Sequence, residues 1–217
     1  MIPALPTRTT LAFLLCAAAG LAGCAGPYAY VRKEEAVLPG NRAVEVVRWS
    51  RLEHRHETPR DEWTGLPKVI AYGVSVPLPR GGRVDWEGDG TLLPVAVATD
   101  ALSAYLATTP RDCADYEAAG APVPPYVFFR SQGEQWQKIT AAEFPAAVTE
   151  ANLLVPLNAA ALATIRQGGV VQPETIRRLN GQLDADARSI NRNGPWPVWA
   201  SCMREVEMRK AQEAAKK

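Results

Sequence analysis

The sequence predicts an α+β domain, on three observations. Segments with strand periodicity and segments with helix periodicity are mixed without regular alternation, short polar connections favour antiparallel pairing, and two amphipathic helical patterns close the chain. The expected form is a small, mostly antiparallel sheet with several helices packed on it, two of them C-terminal, in a single domain over residues 43–208.

Strand signals come first. Ala43 to Trp49 is rich in Val, and Arg51, Glu53, Arg55 and Glu57 alternate in sign along one face of its extension. Val69 to Val76 carries the clearest alternation: Ile70, Tyr72, Val74 and Val76 point one way, Ala71, Gly73 and Ser75 the other. Pro77 to Gly82 breaks it and reverses the chain. Leu93 to Ala98, Tyr126 to Arg130 and Gln135 to Ile139 are shorter strands, the last two joined as a hairpin through Ser131-Gln132-Gly133-Glu134.

Helices interleave with these. Thr99-Asp100 reads as the cap of a short helix to about Ala107. Thr109 reads as an N-cap with Pro110 at the first helical position and Asp112 near the third, before Gly120 stops the turn. Thr140 and Glu143 form a capping-box pattern, limited by Pro145. Pro173 opens the strongest helix, with Ile176, Leu179, Leu183, Ala187 and Ile190 on one stripe and Asn193-Gly194 ending it. After Pro195-Trp196-Pro197 a last helix places Trp199, Cys202, Met203 and Val206 on one stripe, and the charged tail 209–217 is expected to fray. No internal repeat or low-complexity block occurs.

The N-terminus has its own logic. One positive charge, Arg8, precedes an uncharged apolar run of 11 residues, Leu11 to Leu21. That length suits the apolar part of a secretion signal and falls short of the roughly 20 residues a membrane-spanning helix needs. The run ends in Leu21-Ala22-Gly23-Cys24, which resembles the lipobox of bacterial lipoproteins. The resemblance implies cleavage before Cys24, a thioether-linked lipid on its sulfur, acylation of its new amino group, and a membrane-anchored body that does not span the bilayer. Ala25, following the lipidated cysteine, favours by the same resemblance the outer membrane and its periplasmic face. Residues 24–42, with Gly26-Pro27, Arg32-Lys33-Glu34-Glu35 and Pro39-Gly40-Asn41, read as a tether.

Composition narrows the function classes. The chain has 217 residues with 24 Lys+Arg and 23 Asp+Glu; without Arg8 the count is 23 of each. A neutral body with no basic stripe argues against nucleic acid as a partner. The partners expected are the membrane, through the lipid, and an envelope protein or cell-wall component. Of four cysteines, Cys16 leaves with the signal and Cys24 takes the lipid. Cys113 and Cys202 remain, and in an oxidising compartment they are expected to form a disulfide; the alternative is two separate thiols, one of them reactive.

Three constellations suggest chemistry. His54 and His56, two apart on a strand, would share a face and reach one metal, but they are the only histidines, and Glu53 and Glu57 would point the other way. Asp85, Glu87 and Asp89, followed by Gly90, resemble the first half of a calcium loop, but position twelve is Ala96 where a bidentate Glu belongs. A tight turn is the simpler reading. Asp112-Cys113-Ala114-Asp115 places a thiol at a helix start, where the dipole favours the thiolate. The segment is faintly similar to cell-wall cysteine peptidases of the papain-like class. It departs from them in having no histidine after Cys113, so His54 or His56 would have to act from upstream. No Gly-x-Ser-x-Gly elbow, phosphate-cradling loop or cofactor motif is present, and the six tryptophans, Trp196 and Trp199 among them, read mostly as core or staple residues, the alternative being that an exposed few line a glycan or partner surface. The expectation is a non-enzymatic structural, accessory or binding role, with a cysteine hydrolase on Cys113 or a metal-stabilised binding module as alternatives.

Overall fold

The computed structural model describes residues 28–53, 68–155 and 169–216. Within them two sheets carry the fold. The first has five strands in the order β4-β3-β2-β1-β9: β1 (Tyr28–Leu38), β2 (Arg42–Glu53), β3 (Lys68–Pro77), β4 (Arg83–Gly88) and the two-residue β9 (Val170–Val171). The second has four in sequence order: β5 (Leu92–Thr99), β6 (Ala104–Pro110), β7 (Val127–Gln132) and β8 (Gln135–Ile139). All neighbours are antiparallel except β1 and β9.

The α+β class with mostly antiparallel strands therefore holds, while the expectation of several helices packed on one small sheet overstates the helices. Among the described residues three α-helices exceed one turn: α1 (Cys113–Ala118), α2 (Pro173–Asn180) and α4 (Ala200–Ala214). A four-residue α3 (Ala185–Arg188) lies between the last two.

One hydrophobic core is shared by both sheets. Val46, Val74, Val76, Val84 and Trp86 from the first belong to one buried cluster with Val97 and Leu106 from the second, and Trp86 stacks at a tilt on Phe129 at 5.5 Å. The far side of the second sheet is covered in turn. Tyr105 and Phe128 pack against Phe144, which lies in the segment after β8. Covered on both faces, β5 and β6 bury nearly every residue, which is why β5 reads as a continuous apolar run.

The segment expected to be a tether is instead mostly β1, paired with β2 along its whole length from Tyr28↔Leu52 to Leu38↔Arg42. Gly40 (φ 81°) and Asn41 (φ 58°) make the tight turn between them, both in the left-handed region that a twisted hairpin favours. The charges that made β1 look solvated alternate between two faces: Lys33 is exposed, whereas Arg32 and Glu34 are buried.

Other differences have local causes. Asp100 does not cap a helix; its carboxylate accepts from the N–H groups of Leu102 and Ser103 and from the Tyr105 hydroxyl, closing the turn into β6. Thr109 and Pro110 belong to β6, and Asp112 is the true N-cap of α1, accepting from Asp115 N at 2.9 Å. Glu143 bonds back to Thr140 as a capping box would, but only turns follow. The helix from Pro173 ends at Asn180, whose side-chain amide turns inward to Val155 N and Leu153 O. The last helix, α4, extends into the charged tail to Ala214, and Arg209 pairs with Glu117 of α1 at 2.9 Å.

The centre of the first sheet is charged. Glu34 on β1, fully buried, receives Arg48 of β2 at 3.1 and 3.2 Å, Arg32 Nε, and the N–H of Leu154 at 2.8 Å. Arg48 also donates to Leu154 O at 2.6 Å and to Pro94 O at 2.9 Å. Burial alone would raise the Glu34 pKa, but Arg48, Arg32 and the hydrogen bonds outweigh it and hold the carboxyl below its usual 4.5. Burial and the neighbouring Arg32 lower Arg48 to about 10, against the opposing pull of Glu34, so it remains a cation at neutral pH.

Glu34→Ala leaves two guanidinium groups buried with no counter-charge, and is expected to destabilise the fold by about 3–5 kcal/mol in urea denaturation. A depressed folded-state pKa contributes stability that is complete above the unfolded value and is lost as pH falls through the folded one. Acid titration of the wild type should therefore show stability declining from about pH 4.5 downward, with the part due to Glu34 absent in Glu34→Gln.

Candidate functional site

Among the described residues a cleft of about 640 Å³ lies at one end of β1. Its walls are the distal half of β1 with the turn after it, the segment 147–152, and the inner side of α2 with Gly181 and Arg188. Each wall follows from a local choice. Proline at the start of α2 fits the first helical turn, and Ile176 and Leu179 anchor that helix on Leu154 and Val171. The segment 147–152 is pinned by Ile190 N to Thr149 O at 2.8 Å and Ala151 N to Arg188 O at 2.7 Å.

The floor is made by two asparagines acting as pieces of backbone. Asn152 Oδ1 accepts from Val97 N at 2.8 Å, and its Nδ2 donates to Val97 O at 2.8 Å and to Val37 O at 3.0 Å. It thereby covers the outer edge of β5 and ties it to β1, in register with the adjacent bond from Leu153 N to Val95 O. Asn180 accepts from Val155 N at 3.0 Å and donates to Leu153 O at 2.8 Å. The rim is charged, with Glu35 and Glu150 of one sign and Arg177 and Arg188 of the other. The cleft is thus equipped for recognition by hydrogen bonds and ion pairs on a rigid base.

The residues singled out from the sequence fall elsewhere. Cys113 and Cys202 are joined in a disulfide, at the start of α1 and in the first turn of α4. Around it Tyr116, Trp199, Cys202 and Val206 form a small satellite core, with Tyr116 and Trp199 stacked at 5.5 Å. The stripe read from the sequence is the buried one. Cys24, Ala25, His54, His56 and Glu57 lie outside the described residues, so the lipid site and the histidine pair are untouched by the geometry. Glu53 ends β2 and is exposed.

Asp85 and Glu87 do not belong to a loop. They sit on the exposed face of β4, Glu87 paired with Arg51 at 3.0 Å, while Asp89 is engaged by Thr91 through both its N–H and its hydroxyl. Those bonds hold the Asp89 carboxyl below its usual range. Among the described residues no three His, Cys, Asp or Glu side chains are grouped to hold a metal. None of the five described tryptophans is exposed. Trp49 lies across Gly73, where a Cβ would stand 1.8 Å from its ring; Trp136 donates to Asp85 O and Trp196 to Asn191 O.

Sequence reasoning missed Asn152 and Asn180. Nothing in their neighbourhood distinguishes them from surface amides; their role appears only when β5 and its unpaired edge are in place. Asn152→Leu keeps the volume and removes every bond, leaving two Val97 groups and Val37 O unmet, and is expected to cost about 2–4 kcal/mol in chemical denaturation. Asn152→Asp keeps the acceptor for Val97 N but sets a carboxylate against two carbonyls, and should cost at least as much at pH 7. No family model, no curated protein and no solved structure matches the chain.

Proposed function

We propose that the chain is an envelope lipoprotein, anchored through Cys24 to the periplasmic face of the outer membrane, whose folded body is a non-enzymatic binding or accessory module. The observation that carries this reading is the Cys113–Cys202 bridge. Such bridges persist in oxidising compartments, where a secretion signal ending in a lipobox would deliver the chain. The bridge also bears on the rival reading. A sulfur shared with Cys202 has no thiolate to attack a carbonyl, so a hydrolase built on Cys113 would require the reduced protein. The cleft supports the same reading, since it lies away from both cysteines and offers polar recognition groups.

Intact mass of the membrane-extracted protein under thiol alkylation tests both parts. Loss of residues 1–23 with acyl mass on Cys24, and no alkylation before reduction, is the expected result; Cys24→Ser should abolish the acylation. Alkylation of Cys113 without reductant would instead turn attention to the hydrolase. Separately, the bridge closes a sequence separation of 89 residues. Replacing both cysteines with Ala is expected to lower stability by about 2–5 kcal/mol, read as a lower Tm and urea midpoint.

A further inference from the structure

Among the described residues the two most exposed large hydrophobic side chains lie at opposite ends of the sheets. Val123, 70% exposed, is in the loop between α1 and β7, and Leu102, 65% exposed, is in the turn between β5 and β6. The registers fix which end is which. Tyr28, where β1 starts, pairs with Leu52, and Leu52 pairs with Val69. Gly90 sits on that corner, where a Cβ would stand 3.0 Å from Val69 O. Two residues on, Leu92 pairs with Pro110, Thr108 pairs with Val127, and Thr109 Oγ1 donates to Pro125 O at 3.1 Å. Val123 therefore belongs to the end from which β1 starts, and Tyr28 follows Cys24 by four residues. Leu102 belongs to the far end, since Thr99 accepts from Arg42 beside the turn that closes β1 onto β2.

The two sites differ in what would enter an apolar phase with them. Between Glu117 and Arg130 the chain carries no charged residue. Of residues 121–125 three are proline and have no N–H, and the Ala121 N–H is bonded to Tyr116 O at 2.9 Å, so Val123 presents the one free backbone donor of that stretch. Such a tip loses little hydrogen bonding on leaving water. Leu102 is the reverse case: its own N–H and that of Ser103 are held by the Asp100 carboxylate at 2.8 and 2.7 Å, so its turn would carry an anion with it.

We propose that residues 121–125 are a second point of contact with the bilayer that holds Cys24, with Val123 entering the interfacial region. The occupant is lipid because the loop shares its end of the domain with the anchor. A single loop tip is also far smaller than the roughly 800 Å² per partner of a stable protein interface. One valine contributes too little to bind a free protein to a membrane, but an anchor holding the loop beside the surface raises its effective concentration enough for a weak contact to count. Two separated contacts restrict the tilt of the domain where a lipid alone would leave it free. The assignment rests on reading Cys24 as lipidated.

The test uses the mature acylated chain carrying Val123→Cys or Leu102→Cys, each an exposed substitution. With Cys24 acylated and Cys113 bridged to Cys202, the new thiol is the one that takes an environment-sensitive fluorophore without reductant. The labelled chains are reconstituted in vesicles of phosphatidylethanolamine and phosphatidylglycerol. The label at 123 should shift to shorter wavelength and lose emission to nitroxides on the lipid acyl chains. The label at 102, about 23 Å away along β5, should do neither. No shift at 123, quenching by headgroup nitroxides alone, or equal quenching at both positions overturns the contact. A shift at 123 without any quenching assigns the loop to a protein neighbour and overturns it as well. Each of these results, obtained on chains with acyl mass on Cys24, leaves the anchored reading standing; absence of that mass overturns the anchor and this contact together.

Discussion

Glu34 stands at the middle of β1 with its carboxylate held by two guanidinium groups and the N–H of Leu154. The rest of the structure is arranged around that anchorage. Arg48, fixed by Glu34, reaches across to Pro94 O at the irregularity in β5 and to Leu154 O in the segment that borders β5. Pro94 has no N–H of its own, so the bulge leaves a carbonyl that a guanidinium can take. Arg32 and Glu34 on β1 with Arg48 on β2 thereby tie the first sheet, the second sheet and the covering segment. An apolar substitute of equal volume would fill the space without specifying which carbonyls meet. In some proteins buried ionic groups fix the arrangement of a core without adding net stability, and this geometry is of that kind.

The two asparagines extend the same principle with neutral groups. Strand β5 has β6 on one side only, and an uncovered edge would present its peptide groups to any passing strand. Asn152 meets Val97 with both a donor and an acceptor, as another strand would, yet needs only one residue to do it. Asn180 does the same for the covering segment at Val155 and Leu153. Because these amides are satisfied within the fold, the wall they form does not need a ligand to order it.

How much of this was legible in the sequence follows from where the information sits. β2, β3, β5, β7 and β8 announce themselves through local alternation or apolar runs, and the final helix through its stripe of Trp199, Cys202 and Val206. The cysteine pairing followed from compartment and elimination. β1 was hidden because half of its inward face is ionic: Arg32 and Glu34 look solvated until Arg48 is seen opposite. β4 was hidden by Asp85, Glu87 and Asp89, whose spacing imitates a metal loop while two of them simply line the outer face of a strand. β6 was masked by Asp100, whose carboxylate satisfies the same N–H groups in a turn as at a helix start. The cleft was not legible at all, since its walls come from three segments and its floor from amides whose partners are between 25 and 115 residues away.

The early start of β1 also bears on posture at a membrane. The strand begins at Tyr28, so in the anchored form proposed above only residues 25–27 separate it from Cys24. Four residue steps reach at most about 14 Å, so the sheet would be moored close to the headgroups and not float above them. From there the strand is a rigid spar. Its ten further steps to Leu38, at about 3.3 Å each, carry the cleft end roughly 33 Å from the mooring point. The pitch of this one spar would then decide whether the recess is pressed against the lipid surface or raised clear of it, to a ceiling of about 47 Å from the anchoring sulfur.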